Sequence, residues 1–133
     1  MVTQKKATHD SRDTAGRILS VSLSSQPGPK RSVGQAQLVK NHGLNGDLDS
    51  RNHFLTLLAE TDFLAQKALK PDLKPGALGE NLLVTLTLNH LPLGQRLRSG
   101  DALLELTESL NPLFRARVIL DGIVTEGDQI ILE

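Results

Sequence analysis

The chain is broken into short apolar runs. Each is roughly four to eight residues long and is stopped by Gly, Pro, Asn or Asp, the pattern of strands joined by turns. Arg17–Leu23 partly alternates apolar with polar and reads as a strand. Ser24–Lys30, with Pro27-Gly28-Pro29 inside it, reads as a turn, and Val33–Val39 alternates as a second strand. Asn41–Asp47 carries two glycines and reads as a loop. His53–Leu58 suits a strand or a helix. Ala59–Leu69 is the one segment of strong helix formers, with acids early and Lys67 late; Thr61 or Asp62 is its expected cap and Pro71 its stop. Beyond Pro71–Gly76, Asn81–Leu86 reads as a short buried strand. Leu93–Arg98 and Ala102–Thr107 read as a hairpin around Ser99-Gly100-Asp101. Phe114–Leu120 suits a strand or a short helix, and Gln129–Leu132 reads as a last strand. So many short strands with so little helix predict a β-barrel or sandwich.

Composition narrows this further. Twenty-six leucines carry the core, beside three phenylalanines (Phe54, Phe63, Phe114) and no Trp or Tyr. An aromatic platform for single-stranded nucleic acid is therefore not expected. The 133 residues, 38% hydrophobic, suit one modest core and one domain. Fifteen basic residues balance fifteen acidic ones, which argues against nucleic-acid or membrane-surface binding driven by bulk charge. No apolar run reaches the roughly 18 residues that span a bilayer. Residues 1–15 are polar, lack an apolar signal-peptide region and read as a disordered tail, leaving residues 16–133 as the domain. The chain has no cysteine, which excludes disulfides, thiolate metal sites and cysteine nucleophiles; a cytoplasmic location is the simplest expectation.

Few constellations carry chemistry. His9, His42, His53 and His90 include no pair at helical spacing. His42, Asp47, Asp49 and His53 form a loose set that the ordinary reading treats as a polar loop, so no metal ligand is assigned. There is no G-x-S-x-G elbow, P-loop or G-x-G-x-x-G fingerprint, and no catalytic residue is assigned. Gly79-Glu80-Asn81 offers close backbone approach, a carboxylate and an amide suited to a heterocycle edge, or simply a turn entering a strand. Arg51, Arg96, Arg98, Arg115 and Arg117 are candidate anion contacts; the competing reading is a solvated strand face paired with Glu105 or Glu108.

In their order, three segments carry a resemblance. Gly43-Leu44-Asn45-Gly46-Asp47 has the form G-L-x-G-D, and Gly76-Ala77-Leu78-Gly79-Glu80-Asn81 the form G-x-x-G-E-N. Leu93-Gly94-Gln95-Arg96-Leu97-Arg98-Ser99-Gly100-Asp101-Ala102 has the form L-G-x-R-L-R-x-G-D-A. With them, residues 16–133 resemble a stand-alone MOSC domain, the module named for the C-terminal part of molybdenum cofactor sulfurases. The resemblance implies a mainly β fold, a barrel like the small domain of pyruvate kinase with one or two short helices. It implies a pocket for the phosphate-bearing pterin of the molybdenum cofactor, lined by Gly46, Asp47, Arg51, His53, Gly79, Glu80 and Asn81. Arg51 is then expected to hold the anion, and Glu80 with Asn81 the heterocycle edge. Family members are associated with sulfur transfer, molybdenum ion binding and pyridoxal phosphate binding, the last expected to belong to a separate aminotransferase-like domain that these residues do not contain.

One departure stands out. The family runs toward a K-P-C motif whose cysteine binds molybdenum or carries sulfur; here the stretch is Ser109-Leu110-Asn111-Pro112-Leu113, with Leu113 in the cysteine's place. Leucine has neither a lone pair for a metal nor sulfur to transfer. The family's longer segment after the cysteine is also short here, so part of the pocket wall is expected to be missing. The expected function is binding of a phosphate-bearing pterin-type ligand without cysteine-dependent sulfur transfer. The alternatives are a non-catalytic barrel serving interaction or oligomerisation, with a protein partner or a second copy, and a molybdenum-dependent reductase of N-hydroxylated compounds.

Overall fold

The computed structural model describes residues 14–133, so most of the segment read as a tail, residues 1–13, lies outside the described residues. Strand β1 (Ala15–Leu23) opens at the end of that segment. It is followed by β2 (Arg31–Ser32), β3 (Gln35–Val39), β4 (Gly43–Leu44), a 3-10 helix (Leu48–Asn52) and β5 (Leu55–Ala59). Helix α1 (Glu60–Leu69) leads through a long loop to β6 (Leu82–Val84). A second 3-10 turn (Leu88–His90), β7 (Arg96–Ser99), β8 (Ala102–Ser109), β9 (Phe114–Leu120), β10 (Gly122–Thr125) and β11 (Gln129–Leu132) complete the order.

Seven strands close on themselves in the order β1-β11-β7-β8-β9-β5-β6, with β6 returning to β1. All neighbours are antiparallel except β5 and β6, which run parallel. A parallel pair needs a crossover, and α1 with the loop after it supplies one. Both ambiguous segments, His53–Leu58 and Phe114–Leu120, prove to be strands, because each is paired on both sides within this closed sheet. β10, β3 and β4 form a small second sheet.

Alternation along β5 and β6 sorts the leucines. Leu55, Leu57, Leu82 and Val84 point into the barrel, where they join Ile18, Val21, Leu97, Leu104, Leu106, Phe114 and Val118. Leu58 and Leu83 point outward and meet Phe63 of the helix and Leu73 of the loop in a second cluster. These two strands are buried on both faces, which is why they read as continuous apolar runs. The helix begins directly at the end of β5. Its cap is Ala59, which makes no side-chain cap bond, rather than Thr61 or Asp62; strand runs into helix with no intervening turn to hold a capping side chain. Glu60 and Asp62 in the first turn still oppose the dipole.

The small sheet leans on the barrel where β10 begins. A Cβ on Gly122 would lie 2.4 Å from the backbone nitrogen of Ala102 and 2.8 Å from its Cα. Gly122→Ala should therefore destabilise the fold by about 1–3 kcal/mol through forced overpacking, read as a lower urea midpoint with an unchanged slope. An unchanged midpoint would show that the small sheet shifts freely away from β8.

Candidate functional site

A cleft of about 330 Å3 opens where β1 leaves the barrel. Its walls come from the loop 24–30 (Ser24, Gln26, Pro27, Gly28, Lys30), the 3-10 helix (Leu48, Asp49), the start of β5 (Phe54, Thr56) and Gly79 ahead of β6. The β8–β9 hairpin contributes Leu110, Leu113 and Arg115.

A buried ionic group joins two of those walls. Asp47 caps the 3-10 helix: its Oδ2 accepts from the Asp49 N–H at 3.2 Å, and its Oδ1 accepts from the Ser24 N–H at 2.9 Å. Lys30 Nζ lies 2.5 Å from Asp49 Oδ2 and 3.4 Å from Asp47 Oδ2, with side chains only 8% (Lys30) and 1% (Asp47) exposed. Removing Lys30 would leave the Asp47 carboxylate buried without its cation.

The G-x-x-G-E-N segment forms the adjoining wall. Gly76, at φ +93°, has the carbonyl oxygen of Lys30 2.6 Å from where a Cβ would sit, and its own carbonyl accepts from the Lys30 N–H at 3.3 Å. Only glycine permits that contact. The Glu80 carboxylate is buried beneath it. Oε2 accepts from the Gly76 N–H at 2.7 Å, while Oε1 is buried without a hydrogen-bond partner. Burial pushes this carboxyl above its ordinary value, against the weaker downward pull of the Gly76, Glu80 and Leu78 amides and of Lys30.

Asn81 is fully buried and uses its whole amide within the fold. Oδ1 accepts from the Thr56 N–H at 2.9 Å and Nδ2 donates to the Ser22 carbonyl at 3.0 Å. Its backbone N–H donates to the Thr56 carbonyl at 2.8 Å, and its carbonyl accepts from the Ser22 N–H at 2.7 Å. One residue thus joins β1 to β5 through four bonds.

On the far wall, the Arg115 guanidinium lies over the Phe54 ring, 4.3 Å from its centroid. Nη1 donates to Glu108 Oε1 at 2.9 Å, and Nε is buried with no partner. Leu113 faces the cleft and also packs against the apolar cluster beneath the helix.

Of the seven residues expected to line the pocket, Gly79 does so. Asp47 and Glu80 lie behind the lining as supports, and Asn81 is a structural clamp whose amide edge is already spent. Gly46 is an exposed turn residue at φ +91°. Arg51 is exposed on the 3-10 helix and outside the lining. His53 is also exposed; it ends that helix at φ +66°, with Nδ1–H donating to the Asn41 carbonyl at 2.8 Å. Among the strand arginines, the solvated-face reading holds for Arg96 and Arg117, both on Glu105, and for Arg98, which pairs with Glu133. Arg115 alone of these enters the cleft. Lys30, Phe54 and Thr56 escaped sequence reasoning: nothing local links Lys30 to acids 17 and 19 positions away, and Phe54 and Thr56 sit in a run read simply as apolar. Among the described residues, no group of His, Asp and Glu is placed to hold a metal ion.

Two outcomes follow from the buried polar groups. Asn81→Ala strands the Thr56 N–H and the Ser22 carbonyl and should cost about 2–5 kcal/mol in urea unfolding; Asn89→Ala, at an exposed turn, should stay within about 0.5 kcal/mol. Equal effects would remove Asn81 from its clamping role. For Glu80, the raised carboxyl means the folded chain holds a proton that the unfolded chain has lost, in a window opening near the ordinary value of 4.5 and extending upward. Glu80 therefore makes stability fall as pH rises through that window. Glu80→Gln keeps an acceptor for Gly76 and cannot ionise, so its melting temperature should lose this decline; parallel pH profiles for the two proteins would contradict the assignment.

Comparison with known proteins agrees with the barrel. The structure is similar to YuaD from Bacillus subtilis (TM-score 0.74, 15% identity, covering 89% of this chain and 95% of that one). It is also similar to YiiM from Geobacillus stearothermophilus (TM-score 0.68, 16% identity, 89% and 75% covered). A third similar structure is YiiM from Escherichia coli (TM-score 0.62, 19% identity, 89% and 68% covered). No curated protein matches the sequence. The MOSC domain family matches residues 48–126, more than half of the chain and including most of the cleft walls, and the protein belongs to that family.

Proposed function

We propose that the protein binds a small phosphate-bearing ligand with a flat ring in this cleft, without cysteine-dependent sulfur transfer. The observation that carries the reading is Arg115: a guanidinium on the cleft wall, fixed over Phe54, with Nη1 on Glu108. A phosphate oxygen is a natural acceptor for an arginine. Pro27, Leu110 and Leu113 offer apolar surface to a ring.

The family is associated with the molybdenum cofactor, and the cleft fits one half of that group. Arg115 suits its phosphate. The metal finds no donor: Leu113 has no lone pair, and Asp49, the one carboxylate in the lining, is held 2.5 Å from Lys30 Nζ. The residues therefore support recognition of a phosphorylated pterin and no protein bond to molybdenum.

The chain lacks Trp and Tyr, so absorption above roughly 300 nm from a bound pterin stands clear of the protein. Protein purified from a host that makes molybdenum cofactor should carry such a band through gel filtration. Arg115→Gln should bind the ligand about 10–100-fold more weakly, the loss of one charge-assisted hydrogen bond, and emerge without the band. A transparent wild type that also gives no heat with hydroxymethylpterin monophosphate in calorimetry would overturn the reading.

A further inference from the structure

The charges in the cleft are divided unevenly between its walls. On the side of the 3-10 helix, two carboxylates, Asp47 and Asp49, share the one ammonium of Lys30. Asp47 is 1% exposed and spends its oxygens on the N–H groups of Ser24 and Asp49 and on Lys30. The surplus acceptor capacity therefore surfaces at Asp49, whose side chain is 32% exposed and lines the cleft. Lys30 takes its Oδ2, and among the described residues Oδ1 accepts no hydrogen bond. The far wall carries the reverse. Thr56 and Arg115 stand directly opposite each other in the β5–β9 ladder, so their side chains leave the same face of the sheet about 5 Å apart at Cβ. Both line the cleft. The Thr56 backbone is engaged with Asn81, but its hydroxyl makes no hydrogen bond among the described residues. Glu108 takes Nη1 of Arg115 and leaves Nη2 open.

We infer that the cleft fixes the direction of its ligand: Arg115 and the Thr56 hydroxyl take the anionic end, and Asp49 takes a ring edge that presents two adjacent N–H donors. The inference rests on the binding reading above and narrows it to rings with an amidine-like edge, an amino group next to a ring N–H, as in a 2-amino-4-oxo pterin. A carboxylate paired with an ammonium only accepts hydrogen bonds. Two parallel N–H donors match its two oxygens, Oδ1 with both lone pairs free and Oδ2 with one left beside Lys30. The ammonium that repels a metal cation leaves these lone pairs open to a neutral N–H. A ring with an oxo group in place of the amino group sets its own lone pairs against the carboxylate and loses one of the two bonds. Like charge keeps the anionic end of the ligand away from Asp49. The arginine draws that end to the far wall, where the Thr56 hydroxyl donates to a phosphate oxygen that the guanidinium leaves unfilled.

Calorimetric titration of the full chain with hydroxymethylpterin monophosphate, and with the matching lumazine monophosphate whose ring carries oxo in place of amino, tests the assignment. The wild type should bind the pterin about tenfold or more tightly than the lumazine, because a site built around an N–H donor penalises the analogue that lacks it. Asp49→Asn leaves Lys30 its Asp47 partner; its amide can donate to the oxo group, so the preference should reverse. Thr56→Val strands no partner and should keep the wild-type melting temperature. It should weaken the pterin monophosphate about three- to tenfold and leave unphosphorylated hydroxymethylpterin unchanged. Equal affinity of the wild type for the two monophosphates overturns the role of Asp49, while binding of a phosphorylated ring stands. So does an Asp49→Asn variant that weakens both alike, the mark of a merely structural carboxylate. A Thr56→Val variant that weakens phosphorylated and unphosphorylated pterin equally overturns the placing of the anionic end. A wild type that binds neither monophosphate overturns this inference together with the reading it rests on.

Discussion

Every strand contact in the barrel is antiparallel except that of β5 with β6, and the amide of Asn81 stands at the mouth of that exception. β6 has three residues, too few to hold its neighbours along their length. Asn81 extends it by one position, using side chain and backbone together to bond Thr56 on one side and Ser22 on the other. Ser22 lies near the end of β1, just before the loop that carries Lys30. Thr56 lies beside Phe54 and opposite Arg115 in the β5–β9 ladder. The positions of both cleft walls therefore follow from a residue that does not itself reach the cleft.

The cleft's charge is mostly spent internally. Lys30 answers Asp47 and Asp49, and Arg115 answers Glu108 through only part of its fork. This arrangement favours a ligand that can complete Arg115 without having to neutralise a strongly positive surface. Leu113 acts in the same direction. It closes the base of the site with hydrocarbon and ties the hairpin to the cluster under the helix, where the family's cysteine would present sulfur. The cleft keeps an arginine and an apolar wall, and Leu113 offers neither a lone pair nor sulfur.

Much of this was legible in the chain. The apolar run of β5 suits strand and helix alike, whereas Ser99-Gly100-Asp101 reads as a turn and β1, β3 and β6 read as strands. β2, β4 and β10 did not, because two to four residues carry too little alternation to register. In the G-x-x-G-E-N motif the letters alone suggest ligand duties. Glu80 and Asn81 are polar residues of the kind that binds heterocycles, and only burial and partners show them spent on Gly76, Thr56 and Ser22. Arg51 and Arg115 look alike as letters. One sits exposed on a 3-10 helix and the other against Phe54, a difference set by strand pairing that no local pattern encodes.

The account turns on whether the cleft, and no other surface, receives a phosphorylated ring. Methyl-labelled protein titrated with hydroxymethylpterin monophosphate and followed by carbon–proton correlation spectra asks this directly. Leu48, Leu110 and Leu113 line the cleft, whereas Leu64, Leu69 and Leu93 are exposed elsewhere. The account predicts saturable shifts in the first three and none in the second. Shifts confined to the second set, or no shifts at millimolar ligand, would contradict it.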